Sequence, residues 1–313
     1  MNKFLEEVLA GLKDSPKHLS SKYFYDEAGD KLFQQIMASV EYYPTKCEME
    51  IFSQQTEALA TTLKNGFNDF DLIEMGAGDA TKSIFLLQQL VNDNVNFTYC
   101  PIDISKSMIA HLEEEMPKRV PGLKIMGLNG EYFHMLEKAA KISSKRKVVL
   151  FLGSNIGNIP IKEAEQFCKD WRSHLQKGDL VLVGFDLKKN PKTIRAAYND
   201  AEGYTRDFNL NLLKRINREL DADFDLSQFE HYPMYDPESG ACKSYLISLK
   251  EQTVRIGEAD FFHFKENEFI FMEISQKYSL EETDKIALSS GFKPIKKFMD
   301  SKNWFLDTVW ECV

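Results

Sequence analysis

The sequence predicts an α/β protein with a Rossmann-like parallel sheet and a second, inserted α+β domain. Near-continuous apolar runs such as VVLFL (148–152) and LVLVGF (180–185) are typical of strands that helices cover on both faces. Helical patterns separate these runs, as parallel strands require. After Pro191, short alternating runs with short links predict antiparallel strands in a separate region.

We therefore expect the main sheet in residues 46–190 and 277–313, and the second domain in residues 1–45 and 191–276. The pattern predicts one continuous helix over 47–63. It also predicts a connector without regular structure over 221–240. The remaining expected elements are helices over 1–12 and 280–292 and strands over 243–250, 252–257, 268–278 and 303–312.

Composition favours a globular protein that acts on a small molecule. The chain has 313 residues, 43% hydrophobic and 28% charged, and its net charge of -9 disfavours nucleic acid and anionic membranes as partners. Five cysteines without a C-x-x-C pair and six histidines without ligand spacing predict neither a disulfide framework nor a metal site. The N-terminus carries Glu6 and Glu7 where a signal peptide would be apolar, so we expect a cytoplasmic protein. A monomer is the working expectation.

A glycine turn at 71–81, DLIEMGAGDAT, predicts a nucleoside site. Gly76 and Gly78 allow a tight turn between a strand and a helix, and the next strand ends at Asp103, whose carboxylate can bind ribose hydroxyls. Thr81 replaces the third glycine of the dinucleotide fingerprint, which disfavours a nicotinamide cofactor. The pattern is compatible with S-adenosylmethionine (SAM) enzymes, and also with a turn that carries glycine only for packing.

Other polar residues follow the predicted strand ends. Lys82 lies at a helix N-terminus, an unfavourable place for a cation unless it meets an anion such as the carboxylate of a methionine moiety. Asn158 and Asp186 follow later strands, at the edge where ligands of parallel sheets bind.

Two further patterns fit either packing or a pocket. Glu273 and Ser275 lie two apart in a predicted strand and project to one face, which is either solvent-exposed or part of a pocket. A phenol buries well only when its hydroxyl has a partner, so clustered tyrosines suggest a polar pocket wall beside ordinary core. The clustered residues are Tyr23, Tyr25, Tyr42 and Tyr43.

From about residue 18 to its end, the chain resembles the SAM-dependent histidine-specific Nα-methyltransferases of ergothioneine biosynthesis. The segments that carry the resemblance occur in one order: YFYDEAGDKLFQQI, EYYPT, EMGAGDATK, PIDIS, FLGSNIGNI, AAYNDAEGYTRDFNLNLLKRINRELDADFD, FEH and MEISQKY. The resemblance implies a Rossmann-like SAM-methyltransferase sheet, SAM as cofactor and an amino-acid substrate.

The resemblance also implies the site residues. Those that bind SAM are Tyr25, Gly76, Lys82, Asp103, Asn129 and Gly130, the last two flanking the adenine. Those that bind the amino acid are Asn158 and Tyr198 at the α-carboxylate, Tyr42 near the amine and ring, and Glu273 and Ser275 at the imidazole. Separately, the substrate ammonium must lose a proton at neutral pH, and we expect its acceptor to be a phenol hydroxyl or a chain of waters near Tyr42, the candidate catalytic residue.

Two features of the sequence keep alternatives open. Where the family has a G-D-F stretch this chain reads LNGEY, and where the family has methionine it has Ser244. The first rival is therefore a non-catalytic regulator that binds SAM or S-adenosylhomocysteine. The second is a methyltransferase acting on another amino acid, and a nicotinamide oxidoreductase ranks below both.

Overall fold

The computed structural model describes residues 2–141 and 143–313. It divides the chain into two compact units: the first holds the chain up to Tyr43 and Lys189–Ser275, and the second holds Pro44–Lys188 and Gln276–Val313. No helix among the residues described is long and apolar enough to cross a lipid bilayer.

The described helices and strands alternate through much of the chain. The helices are α1 (Lys3–Lys13), α2 (Glu27–Ala38), α3 (Tyr43–Gln54), α4 (Thr56–Lys64), α5 (Ser83–Asn92), α6 (Lys106–Arg119), α7 (Tyr132–Ala140), α8 (Ile161–Ser173), α9 (Pro191–Ala197), α10 (Tyr204–Leu220) and α11 (Leu280–Ser289). The strands are β1 (Asp69–Met75), β2 (Asn96–Asp103), β3 (Leu128–Asn129), β4 (Arg146–Phe151), β5 (Leu180–Asp186), β6 (Phe229–Asp236), β7 (Ala241–Ser248), β8 (Gln252–Ile256), β9 (Asp260–Phe264), β10 (Phe269–Gln276), β11 (Phe292–Met299) and β12 (Phe305–Cys312).

The second unit contains a seven-stranded sheet in the order β11-β12-β5-β4-β1-β2-β3. Strands β1 to β5 pair in parallel, whereas β12 runs antiparallel to both β5 and β11. Every residue of β5 is buried, as expected for a strand covered on both faces. The predicted Rossmann-like α/β fold is confirmed.

Two predictions in this unit were wrong. The helix expected over 47–63 is interrupted at Gln55, where α3 ends and α4 begins; the Gln55 side chain donates to the Met299 carbonyl at 2.8 Å. Strand β11 was missed because its alternation is weak and it carries three lysines. Lysine is common on edge strands, where it discourages pairing with other chains.

The first unit contains a three-stranded sheet, β10-β7-β6, and the antiparallel pair β8-β9. The connector expected over 221–240 was wrong, because it contains β6. Along this strand Phe229, His231 and Pro233 are buried and alternate with exposed Glu230 and Tyr232. An inward histidine and an inward proline hid the period-2 pattern that identifies a strand. Strand β9 was also not anticipated.

Candidate functional site

The glycine turn after β1 has the backbone geometry that the sequence predicted. Gly76 has φ +72°, and a Cβ added there would lie 2.7 Å from the Tyr132 hydroxyl oxygen and 2.9 Å from Asn155 Nδ2. Its N–H donates to the Ile102 carbonyl at 2.8 Å, which fixes the turn against the end of β2. Only glycine fits this position, both for its backbone conformation and for the space available.

Asp103 ends β2 beside that turn. Its Oδ2 accepts from the Gly78 N–H at 3.1 Å and its Oδ1 from the Ser105 N–H at 2.9 Å. Burial raises the pKa of this carboxyl, and these backbone donors oppose the rise. A carboxylate oxygen accepts more than one hydrogen bond, so both oxygens retain capacity for the two hydroxyls of a ribose.

Asn129 and Gly130 both contact the backbone of Asp103. The Asn129 Nδ2 group donates to the carbonyls of Asp103 at 3.0 Å and Ile104 at 2.9 Å, and the Gly130 N–H donates to the Asp103 carbonyl at 3.0 Å. The amide group of Asn129 is thus oriented by the backbone, and its carbonyl oxygen is the acceptor that it can offer to a ligand.

Lys82 lies at the N-terminus of α5 and forms an ion pair with Glu48 of α3, whose side chain is fully buried. Glu48 also accepts from the Gly153 N–H with both oxygens, at 2.8 and 3.0 Å. Burial alone would lower the pKa of Lys82, but the charge and hydrogen bond of Glu48 raise it above its usual value. The lysine is therefore held cationic, with 21% of its side chain still exposed.

Asp307 of β12 completes a carboxyl pair with Glu48. A Cβ added at Gly184 would lie 2.6 Å from Glu48 Oε1 and 3.2 Å from Asp307 Oδ1, so both carboxyl groups flank that glycine. Burial and the nearby charge of Glu48 raise the pKa of Asp307 well above its usual value. Burial and the neighbouring carboxylate therefore both favour the protonated form of Asp307.

Asp186, which the sequence placed at a ligand-binding edge, is engaged inside the second unit. Its carboxylate pairs with Lys277 Nζ at 2.7 Å, and both side chains are fully buried. Its carbonyl also accepts from the Tyr278 N–H at 3.0 Å. This residue serves to join β5 to the chain that follows β10.

Three of the predicted substrate residues meet within the first unit. The Tyr198 hydroxyl donates to Ser275 Oγ at 2.6 Å, and both side chains are buried. The Tyr42 ring lies edge-on to the Tyr198 ring, with centroids 6.2 Å apart. The hydroxyl of a buried tyrosine thus has the partner that such a residue requires.

Glu273 lies two residues before Ser275 on β10 and is partly buried. Its Oε1 accepts from Asn209 Nδ2 of α10 at 3.4 Å. The strict alternation of burial along β10 stops at this point, since Glu273 and Ile274 are both partly exposed. The polar residues of this strand, Glu273, Ser275 and Gln276, all lie in its C-terminal half.

The two remaining predicted residues are Tyr25 and Asn158. Tyr25 belongs to the first unit and lies edge-on to Phe33 and Phe208, with centroids 5.7 Å away in both cases. Asn158 belongs to the second unit, where it ends a short 3-10 helix (Asn155–Asn158) with its side chain exposed.

Sequence reasoning missed Glu48, Asp307 and Asn209. Glu48 carried a usable signal, because Glu48, Ile51 and Phe52 share one helix face, and a carboxylate on a buried face needs a partner. Asp307 and Asn209 carried none, because their partners are distant in the sequence.

The chain matches the family model of SAM-dependent, histidine-specific methyltransferases over residues 4–312. It is 33% identical to the histidine N-alpha-methyltransferase of Mycolicibacterium smegmatis over 289 residues, which cover 92% of this chain and 88% of that protein. It is 30% identical to the histidine N-alpha-methyltransferase of Mycobacterium tuberculosis over 300 residues, which cover 96% of this chain and 92% of that protein.

A solved structure shares the fold. The mitomycin 7-O-methyltransferase superposes with a TM-score of 0.50 at 11% identity, covering 93% of this chain and 59% of that one. This likeness concerns the fold alone. The family match over nearly the whole chain, together with the two relatives at 33% and 30% identity, shows that the chain belongs to the SAM-dependent, histidine-specific methyltransferases.

Proposed function

We propose that this protein transfers methyl groups from SAM to the α-amino group of L-histidine. The observation that carries the proposal is the hydrogen bond from Tyr198 to Ser275 with Glu273 two residues away, which groups three polar side chains at one end of an apolar strand. Two relatives that cover most of the chain are named histidine N-alpha-methyltransferases, which supports the same substrate.

The residues of the glycine turn fit SAM. Gly76 allows the tight turn, the space where a Cβ of Gly78 would lie has no protein atom within 4 Å, and Asp103 keeps acceptor capacity for ribose hydroxyls. Lys82, held cationic by Glu48, suits the carboxylate of the methionine moiety. In this proposal Asn129 and Gly130 flank the adenine, and Tyr25 also contacts the cofactor. When bound, SAM supplies a methyl group made electrophilic by the positive sulfur.

Each predicted substrate residue is proposed to bind a different group of the amino acid. Asn158 and Tyr198 bind the α-carboxylate. The amide N–H of Asn158 is a suitable donor, and the single O–H of Tyr198 can donate to the carboxylate when the Ser275 hydroxyl becomes the donor in their mutual hydrogen bond. The Glu273 carboxylate accepts from an imidazole N–H, and Ser275 provides a further hydroxyl beside it. A site built to hydrogen-bond an N–H rejects amino acids that lack one, because its polar groups are left unpaired.

Tyr42, or a chain of waters near it, is proposed to relay the proton that the substrate ammonium must lose before its nitrogen can attack. The phenol oxygen of Tyr42 accepts that proton as its own O–H passes one to solvent. Its ring lies against that of Tyr198, so both phenols belong to one aromatic group in the first unit. The nitrogen would then attack the methyl carbon as the bond from that carbon to sulfur breaks, and the contribution of the protein is chiefly to hold the reacting atoms in alignment.

Ser244 keeps a second amino-acid substrate under consideration. It lies on β7 and is buried, at a position where the family pattern has methionine. A smaller side chain there enlarges the space available to a bulkier substrate side chain, provided that it lines the pocket. The substrate screen decides between histidine and such an alternative.

The test is a screen of the twenty amino acids with labelled SAM, followed by mass spectrometry. We expect histidine to gain the mass of one or more methyl groups and to exceed all others in kcat/KM. Methylation of another amino acid alone would contradict the proposed substrate. Calorimetric binding of histidine in the presence of S-adenosylhomocysteine, without any turnover, would instead support a non-catalytic binding protein.

A further inference from the structure

We propose that Asn209 is a positioning residue for substrate selection, which acts by holding the Glu273 carboxylate toward the imidazole of the substrate. The inference rests on the proposed function, since it assigns a partner to a residue of that same site. Asn209 lies in α10, near the start of the helix, and its side chain is completely buried.

The geometry joins Asn209 to Glu273 through one amide group. Its Nδ2 donates to the Thr205 carbonyl one helical turn earlier at 2.9 Å, which sets the direction of the side chain. The same nitrogen also donates to Glu273 Oε1 in a long hydrogen bond of 3.4 Å. A rigid helix thereby fixes one oxygen of the carboxylate, and this limits the directions open to the other oxygen.

The burial of Asn209 argues against a role in packing alone. Phe208, Leu212 and Leu213 on the same helix are buried in the hydrophobic core of the first unit. The Asn209 carbonyl oxygen is buried with no hydrogen-bond partner among the described residues, an arrangement that is unfavourable and uncommon in folded proteins. Leucine would fill a similar volume without that penalty. We therefore attribute the presence of asparagine at this buried position to its N–H groups, one of which contacts Glu273.

The same helix provides a matched control. Asn211 is also buried, and its Nδ2 donates to Asp26 Oδ1 at 2.9 Å. Both residues are helical asparagines bound to a carboxylate, but only the partner of Asn209 belongs to the proposed imidazole site. Loss of either amide should weaken the fold, so selectivity separates positioning from stability.

The experiment compares two substrates at saturating SAM. One is histidine, and the other is 4-thiazolylalanine, whose ring has a similar shape but no N–H. The variants are Asn209→Leu, Asn209→Asp, Glu273→Gln, the double variant Asn209→Leu/Glu273→Gln, and the control Asn211→Leu. The measured quantity is the ratio of kcat/KM for histidine to kcat/KM for the thiazole, with a thermal melt for each variant.

We expect both Asn209 variants to lower the ratio by about tenfold, the effect of losing one hydrogen bond to a charged group. Asn209→Asp keeps the shape but replaces the donor by an acidic group that repels Glu273, so it tests the loss of attraction at this contact even if the leucine variant folds poorly. In the double variant the two losses should not add, because Asn209 acts through Glu273. Asn211→Leu should lower the melting temperature and leave the ratio within about twofold of the parent.

The failures of the two proposals are distinguishable. An unchanged ratio in Glu273→Gln would contradict the proposed imidazole site itself. A collapsed ratio in Glu273→Gln with an unchanged ratio in both Asn209 variants would overturn only the positioning role. An equal loss of ratio in Asn211→Leu would show that helix stability, and not the contact with Glu273, sets selectivity.

Discussion

The hydroxyl of Tyr198 donates a 2.6 Å hydrogen bond to Ser275 Oγ, joining the end of α9 to the end of β10. In the proposed function, Tyr198 binds the α-carboxylate of the substrate and Ser275 binds its imidazole. Their direct bond couples the two recognition steps, so disturbing either residue should affect how both ends of the amino acid bind.

Tyr198→Phe tests that coupling. The ring remains for packing against Tyr42, but the hydrogen bond to Ser275 is lost. We expect KM for histidine to rise about tenfold, as for one buried hydrogen bond, with a smaller change in KM for SAM. Steady-state kinetics measure both constants. Tyr232→Phe, on the half-exposed Tyr232 of β6, is the control and should change neither; equal effects in the two variants would remove the coupling.

Lys82→Met tests cofactor recognition and the buried ion pair together. It leaves Glu48 charged and buried without its cation, which should cost about 3 kcal/mol in the free energy of unfolding. Adding Glu48→Gln removes the unpaired charge, so the double variant should recover most of that stability. Urea unfolding measures the recovery.

Binding should not recover with stability. Lys82→Met and the double variant Lys82→Met/Glu48→Gln should both bind S-adenosylhomocysteine at least about tenfold more weakly than the parent. The reason is that both lack the cation that pairs with the carboxylate of this ligand. Affinity for 5′-methylthioadenosine, which lacks that carboxylate, is the control and should change little. A similar loss for both ligands would show that Lys82 does not recognise the carboxylate.

Asp307→Asn tests the carboxyl beside Glu48, whose raised pKa favours its protonated form. The pKa of Asp307 is raised in the folded state, so its contribution to stability is complete below its unfolded pKa of about 3.9 and is lost as pH rises toward the folded pKa. An amide cannot ionise. The stability of the variant relative to the parent should therefore increase with pH, by at most about 1.4 kcal/mol per pH unit.

Urea unfolding at pH 5, 7 and 9 measures this difference. Asp300→Asn is the control, since Asp300 is buried but accepts from the N–H groups of Trp304 at 2.7 Å and Phe305 at 2.8 Å. It should be less stable than the parent because those N–H groups lose their charged acceptor, so it shows the cost of replacing a buried carboxylate whose role is to accept hydrogen bonds. A difference for Asp307→Asn that is flat across pH would mean that Asp307 is ionised in the folded protein.

Asp103→Asn tests the ribose site. An amide keeps the shape but offers one acceptor oxygen instead of two, so one ribose hydroxyl loses its charged partner. We expect the Kd for S-adenosylhomocysteine to rise between about tenfold and a hundredfold. Calorimetric titration measures it. Glu113→Gln, at a carboxylate that accepts from the Gly127 N–H at 2.8 Å, is the control and should leave the Kd unchanged.

The order and type of many elements could be predicted from local patterns. The apolar runs of β4 and β5 and the glycine turn before α5 each carry their signal within a few residues, and they indicated the α/β fold. Local patterns failed where inward residues are polar, as at His231 of β6. They also failed where an edge strand is rich in lysine, as in β11.

The candidate site divides in the same way. Gly76 and Asp103 follow from the turn and the strand end that the sequence displays. The partner of Lys82 could not be predicted, because Glu48 lies 34 positions earlier in the chain. The bond between Tyr198 and Ser275 spans 77 positions, and that between Asn209 and Glu273 spans 64.

The sequence by itself determined the fold class, the SAM-dependent family and the residue types available for chemistry. The reason is that periodicity and short motifs are local features of the sequence. Only the tertiary structure decided which polar groups are paired: Lys82 with Glu48, Asp307 beside that pair, and Asn209 with Glu273. The physical reason is that a buried charge or amide is governed by its neighbours in space. Chain folding, and not spacing in the sequence, selects those neighbours.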